Sequence, residues 1–465
     1  MIMGYRTEKD ALGEKQVPAE AYWGIHTQRA LENFCLGGEK VLPSLIRALA
    51  MVKKAAVMAN KELGDLPQDK ADAIITACDE VQEGKWNAEF PLEALQGGAG
   101  TSTNMNVNEV LANRANELLG GKKGEYVLIH PLDHVNMHQS TNDVYPTALK
   151  CAAISALRVL SDTAALLQGA LQRKEKEFAH IIKIGRTELQ DAVPMTLGAE
   201  FSAWAEAVSR DRWRAFKCEE RLRVVNLGGT AIGTGLGSPR DYIFLVIERL
   251  RDISGLGLAR GENIPGETAN ADAYVEVSGI LKAHAVNLIK ISNDLRLLNF
   301  LGEVRLPVCQ AGSSIMPGKV NPVIPEAVIQ AALRVMANDL LATEAASRSS
   351  LQINEFLPLL AQALLGSIGL LTAANKVLAA HIDGIQADEA RCRHSFEHSR
   401  MCVTALVPLI GYDNAGALLK EFDASGRDDL RSFLEERVGR EKVAEAFSPQ
   451  ALMSLGHRRG HGGKS

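Results

Sequence analysis

Aromatic residues are scarce in this chain: Phe, Trp and Tyr together make up 5% of its 465 residues. Sustained period-two alternation is missing as well, so a sandwich or barrel of β-strands is excluded. The seven cysteines (Cys35, Cys78, Cys151, Cys218, Cys309, Cys392 and Cys402) are odd in number and include no CxxC pair. That pattern excludes a zinc ribbon or a disulfide framework and points to reduced thiols in a cytoplasmic setting. Cys309, four residues before Ser313, is expected to be sensitive to thiol reagents, and no partner base beside it marks it as a nucleophile. No excess of positive charge is present either. The net charge is −5, and the single basic stretch is the Gly-rich tail 457–465, expected to be a frayed terminus or at best a weak contact patch. Nucleic acid is therefore excluded as a partner. The first residues, Met1 to Arg6, lack the apolar core of a secretory signal. One stretch, Phe356 to Asn375, is uncharged and long enough to span a bilayer. Its Gln362, Ser367, Thr372 and two glycines suit a buried helix of a soluble protein instead.

What the chain does have is helical periodicity. Leu149, Ala153, Leu157, Leu160, Ala164, Leu167 and Leu171 recur at spacings of four and three, the stripe of a long packed helix. Val193 to Val225, with Pro194 at its start, reads in the same way. So do Ala271 to Leu298 and Pro325 to Leu341, where Pro325 fits a first-turn position. With 46% hydrophobic and 23% charged residues, these patterns describe a mainly α globular protein with several helices of 25 residues or more. The expected division is an N-terminal helical domain over 1–141, a central bundle of long helices over 142–393, and a small C-terminal domain over 394–465, where elements shorten and charge rises.

Three polar loops precede these helices. Loop one is Gly97 to Asn106, with Thr101 among adjacent hydroxyls. Loop two is His138 to Asp143, containing Ser140, Thr141 and Asn142. Loop three, Gly312 to Pro322, carries Ser313 and Ser314, then Lys319 and Asn321. Free backbone N–H groups at helix starts favour anions, and hydroxyl, amide and ammonium donors suit a dicarboxylate. For each loop alone, the alternative is an ordinary helix cap or a Gly/Ser/Pro turn.

Gly312-Ser313-Ser314-Ile315-Met316-Pro317-Gly318-Lys319-Val320-Asn321-Pro322 resembles the signature of the aspartase/fumarase superfamily, whose members eliminate a group from a succinyl skeleton to release fumarate. Gly24 to Phe34, with His26, Met51 to Leu63, and Val225 to Leu236 are similar to the aspartase branch rather than to fumarases. The resemblance spans nearly the whole chain. It implies three domains around a bundle of five long helices, and a homotetramer in which the three loops meet from three subunits. The activity it implies is anti elimination of ammonia from L-aspartate to give fumarate, with no metal or organic cofactor. Ser313 would be the base. Thr101, Ser140, Thr141 and Ser314 would grip the carboxylate next to the departing proton. Thr187, Lys319 and Asn321 would hold the other carboxylate, and Asn142 would contact the amino group.

Three positions depart from the family's pattern. Position 188 is Glu where fumarases and some aspartases have His. Facing Glu326, Glu188 would share a proton or attract a cation, which fits an ammonium-bearing substrate; the alternative is that it points elsewhere. The approach Asn299 to Leu306 is several residues short, and Gly237 replaces a common Asn. A lyase of an N-substituted aspartate, a fumarate hydratase and an inactive structural paralogue remain as alternatives.

Overall fold

The computed structural model describes residues 4–456; residues 1–3 and the 457–465 tail lie outside the described residues. The chain is 64% helical, and its strands occur only in two-stranded pairs among the described residues. Five helices reach the expected length. They are α5 (Thr141–Glu177), α6 (Leu197–Leu222), α9 (Asp272–Leu301), α10 (Val323–Ser347) and α11 (Leu357–Asp383). All seven residues of the Leu149-to-Leu171 stripe on α5 are buried. The mainly α expectation holds.

Two expectations need correction. The helix anticipated from Val193 starts at Leu197, because Pro194 belongs to a hairpin. There β3 (Ile182–Thr187) pairs antiparallel with β4 (Gln190–Thr196), and Pro194 lies opposite Ile184. In addition, the apolar segment within α11 is not alone: α5 is also long and apolar enough to cross a membrane. Half or more of each apolar window is buried in protein, the pattern of core helices.

The chain divides into two compact units. The first comprises 1–161, 213–285 and 333–372, and the second 162–212, 286–332 and 373–465, so the boundary falls inside each of the five long helices. In the first unit, the hairpin β1 (Tyr5–Asp10) and β2 (Gly13–Pro18) leads into α1 (Ile25–Asn33), α2 (Pro43–Leu63), α3 (Gln68–Gln82) and α4 (Thr101–Leu118). Helix α2 starts with Pro43 in the first turn and stops at Gly64 in the left-handed conformation. The short parallel pair β5 (Val224–Val225) and β6 (Ala259–Arg260) frames α7 (Arg240–Ser254), and α8 (Ile264–Ala269) follows.

In the second unit, β7 (Val304–Arg305) pairs with β8 (Gln386–Ala387). The short helices that follow enclose a core of Phe396, Leu406, Phe422, Phe433, Leu434 and Phe447, among others. All seven cysteines are free; five are buried, while Cys35 and Cys309 are exposed.

Candidate active site

Loop one contains three consecutive residues with positive φ, Gly98 (84°), Ala99 (56°) and Gly100 (93°), which turn the chain into the start of α4. Glycine is required at 100, since an added Cβ would lie 2.4 Å from the Tyr145 ring. Thr101 opens the helix, half-buried, and its hydroxyl donates to Gly98 O at 2.7 Å.

Loop two is the N-terminus of α5. Ser140 caps it: its Oγ accepts from Asn142 N at 3.2 Å, and Asp143 Oδ1 accepts from Ser140 N at 3.0 Å in return. The Thr141 Oγ1 accepts from Asn104 Nδ2 at 3.0 Å. Both hydroxyls therefore have an acceptor lone pair filled, and each can present its proton to a ligand. Pro146 lacks the N–H that would bond Asn142 O within the helix; Asn226 Nδ2 takes that place at 2.9 Å. Asn142 Nδ2 donates to Ala231 O at 2.7 Å.

Beneath loop two lies a buried polar layer. Asp143, fully buried, also receives Gly228 N at 3.1 Å and Thr230 N at 3.0 Å, tying loop two to the glycine-rich turn 228–237. Burial pushes its carboxyl up from 3.8 to about 7, against the pull of those amides and of Lys53. Lys53, likewise fully buried, donates to Asn136 Oδ1 at 2.7 Å and Gln139 Oε1 at 2.9 Å. Burial lowers its ammonium from 10.5 to about 7, with Asp143 opposing. Asn136 Oδ1 is a hub that also accepts from Asn104 at 3.3 Å and Asn108 at 3.2 Å. On α4, Glu109 accepts from Gly24 N, His26 N, Thr27 N and Thr27 Oγ1, and so caps α1. Burial lowers the His26 imidazole, and its Nδ1 has no hydrogen-bond partner among the described residues.

The remaining candidates stand on the second unit. Thr187 ends β3, and Glu188 and Leu189 form the hairpin tip with φ of 52° and 61°. Two successive non-glycine residues in the left-handed region are strained and need support from their surroundings. The strand behind the tip is anchored by ion pairs. Arg186 NH1 meets Glu303 Oε1 at 2.7 Å and Lys183 Nζ meets Glu303 Oε2 at 2.8 Å, with Glu303 fully buried. Glu303 sits in the short approach to loop three, so that segment carries the anchor of the hairpin. Glu326 pairs with Arg296 at 3.9 Å, and among the described residues no contact joins it to Glu188.

Loop three is pinched at its neck. Gly312 N donates to Lys319 O at 2.8 Å and Asn321 Nδ2 to Gly312 O at 2.9 Å. Gly312 is required for this close approach, where an added Cβ would sit 2.7 Å from Lys319 O, and not for its dihedral; Gly318 is the residue with positive φ, 81°. Ser313 Oγ accepts from Ile315 N at 3.2 Å and Met316 N at 3.0 Å. Ser314 and Lys319 are exposed.

The structure thus joins loops one and two within one chain through Asn104 and Thr141. Within one chain these two loops form one piece. The sequence reading missed Lys53, Asn104, Asn136, Asp143 and Glu303. A signal existed for the first of them. Leu49, Lys53, Ala56 and Asn60 share a helical stripe in which a lysine is out of place unless it has buried partners.

Against known proteins, the model of a family described as "Lyase" matches residues 13–337. A curated aspartate ammonia-lyase of Pseudomonas canavaninivorans is 49% identical over 441 residues, 93% of each chain. The crystal structure of fumarate lyase:delta crystallin from Brucella melitensis bound to cobalt gives a TM-score of 0.91 at 46% identity, covering 96% of this chain and 99% of that one. Recombinant class II fumarase from Schistosoma mansoni gives 0.89 at 34% identity, covering 97% and 99%.

Proposed function

The chain belongs to this lyase family, and from that membership we propose that it eliminates ammonia from L-aspartate to give fumarate. Identity near one half with an aspartate ammonia-lyase over 93% of both chains supports the substrate. The observation that carries the chemistry is the environment of Ser313, whose Oγ receives two backbone N–H groups. Donors aimed at an oxygen favour its ionised form, so they lower the cost of a serine alkoxide.

A proton beside a carboxylate is a very weak acid, and its loss becomes feasible when fixed donors hold the resulting enediolate. Ser140 and Thr141, each with a lone pair filled from within the protein, have protons to give to that carboxylate, joined by Ser314 and by Thr101 once its hydroxyl turns from Gly98 O. Lys319, Thr187 and Asn321 take the other carboxylate. Asn321 spends one amide hydrogen on the Gly312 carbonyl, which fixes its side chain and leaves the second hydrogen for the ligand. Asn142 gives its amide to Ala231 O, which leaves its Oδ1 acceptor for the substrate ammonium. Glu188, on a strained tip, adds a carboxylate for the same cation, with Glu326 as a supporting group.

Loops one and two arrive together from one subunit of a homotetramer, and loop three and the hairpin come from its other subunits. The setting is the cytoplasm, in keeping with seven free thiols.

The test is to supply aspartate, malate and argininosuccinate in turn, following fumarate absorbance and ammonia. Fumarate and ammonia are expected in equal amounts from aspartate. Turnover of malate with none of aspartate would sink the proposal. A monomer on gel filtration with full activity would contradict the shared site. Glu188→His is expected to shift preference among the three substrates and leave thermal stability unchanged.

A further inference from the structure

The buried layer beneath loop two fixes the direction of its hydrogen bonds. Asn136 Nδ2 faces a backbone carbonyl, Gln139 O, at 3.2 Å, so its Oδ1 must be the atom facing Lys53. Gln139 is oriented in the same way, its Nε2 on the carbonyls of Val135 and Met137, both at 3.1 Å, and its Oε1 on Lys53. A lysine ammonium donates and accepts nothing, which agrees with both assignments. An oxygen at the Asn136 hub requires amide hydrogens from Asn104 and Asn108. Asn104 spends one amide hydrogen on that hub and the other on Thr141 Oγ1, and its own Oδ1 is left buried without a partner among the described residues. An orphaned buried acceptor is costly, so this orientation is imposed by the network.

We infer that the relay from Lys53 through Asn136 and Asn104 to Thr141 sets hydrogen-bond polarity, compelling Thr141 to act as a donor toward the substrate. Lys53, Asn136 and Asn104 are positioning residues. The inference rests on the reading of Thr141 as a carboxylate donor. The ligand class is a dicarboxylate whose negative charge grows in the transition state, where a preset donor is worth more than a rotatable one.

Asn104→Asp keeps the shape but offers an oxygen to Thr141, whose proton then turns inward. The readouts are kcat for aspartate and the dissociation constant of succinate, an unreactive dicarboxylate probe, with thermal melts to verify folding. Asn104→Asp is expected to lower kcat about 100-fold, the scale of losing one oxyanion donor. In a Thr141→Val background the same change should have little further effect, because the hydroxyl it acts on is gone. Losses that simply add in the double variant would mean that charge repulsion, not polarity, is at work, and would overturn the inference. Lys53→Met should weaken succinate binding in the same direction; if it does not fold, Asn136→Leu cuts the relay at its centre. Unchanged succinate affinity in the folded variant would remove Lys53 from the relay. A wild-type protein that binds succinate but forms no fumarate from aspartate refutes the proposed reaction, while the binding cycle still decides the relay. Failure to bind succinate at all refutes the donor role of Thr141 and the relay with it.

Discussion

Ser140-Thr141-Asn142 and the Ser313-to-Asn321 loop carry similar side chains in opposite settings. The first rests on Asp143, Asn104 and Asn226, with fully buried charge under it. The second is mostly exposed, with Ile315 at 84%, and its hydrogen bonds run among its own residues, to the adjoining Gly312 and to Val323. Donors for a growing negative charge work best when they need no reorganisation, so they belong on a rigid platform. A base that must admit the substrate and then exclude water belongs on a segment that moves. In the proposed reaction, the contrast separates two demands between two kinds of construction.

The largest test of that contrast is Ser313→Ala. Loss of a positioned base is expected to lower kcat about 10³-fold, while the melting temperature stays with the wild type, because the side chain supports only its own loop. Wild-type rates would remove Ser313 as the base. A variant melting several degrees lower would show that loop three bears on the fold, and the contrast would fail.

Next in size is a platform effect with a defined pH dependence. Burial raises the Glu109 carboxyl from 4.5 to about 7, although four donors pull it down. Between those values the folded chain keeps a proton that the unfolded chain has released. The stability contributed by this carboxyl is therefore complete below pH 4.5 and is lost as pH rises through 7. Glu109→Gln is neutral throughout, so its deficit against wild type should shrink by about 3 kcal/mol from pH 4.5 to pH 8, the shift expressed as free energy. Denaturant unfolding at the two pH values measures it. A gap that stays constant would mean that the four donors hold the anion.

Much of loop three was legible in the sequence and little of the platform. Loop three announces itself through Gly312, Ser313, Lys319 and Asn321 in consecutive order. The long helices likewise show in the Leu149-to-Leu171 stripe. Asn104 lies some distance along the chain from Asn136 and Asp143, and an amide or a carboxylate gives no periodic signal of burial. Their roles arise from partners such as Gly228 and Lys53 that only the fold supplies. The Pro194 error has the same origin: proline suits a helix start, and nothing local reveals that Ile184 will pair across from it. Glu303 was read as part of a shortened segment; its burial between Lys183 and Arg186 gives that segment its purpose.

The smallest expected effect probes whether mobility itself is built in. A methyl on Gly100 of the platform would collide with the Tyr145 ring, whereas one on Gly318 meets nothing within 4 Å. Gly318→Ala therefore carries only the backbone cost of a left-handed alanine, about 1 kcal/mol. In a rigid segment that cost would appear as lost stability. In a loop that changes conformation it appears as an altered balance between open and closed forms. The expectation is a kcat changed by roughly fivefold, the same energy read as a rate, with no shift in melting temperature. A lowered melting temperature with an unchanged kcat would place Gly318 with the rigid part of the molecule and redraw the line between the two regions.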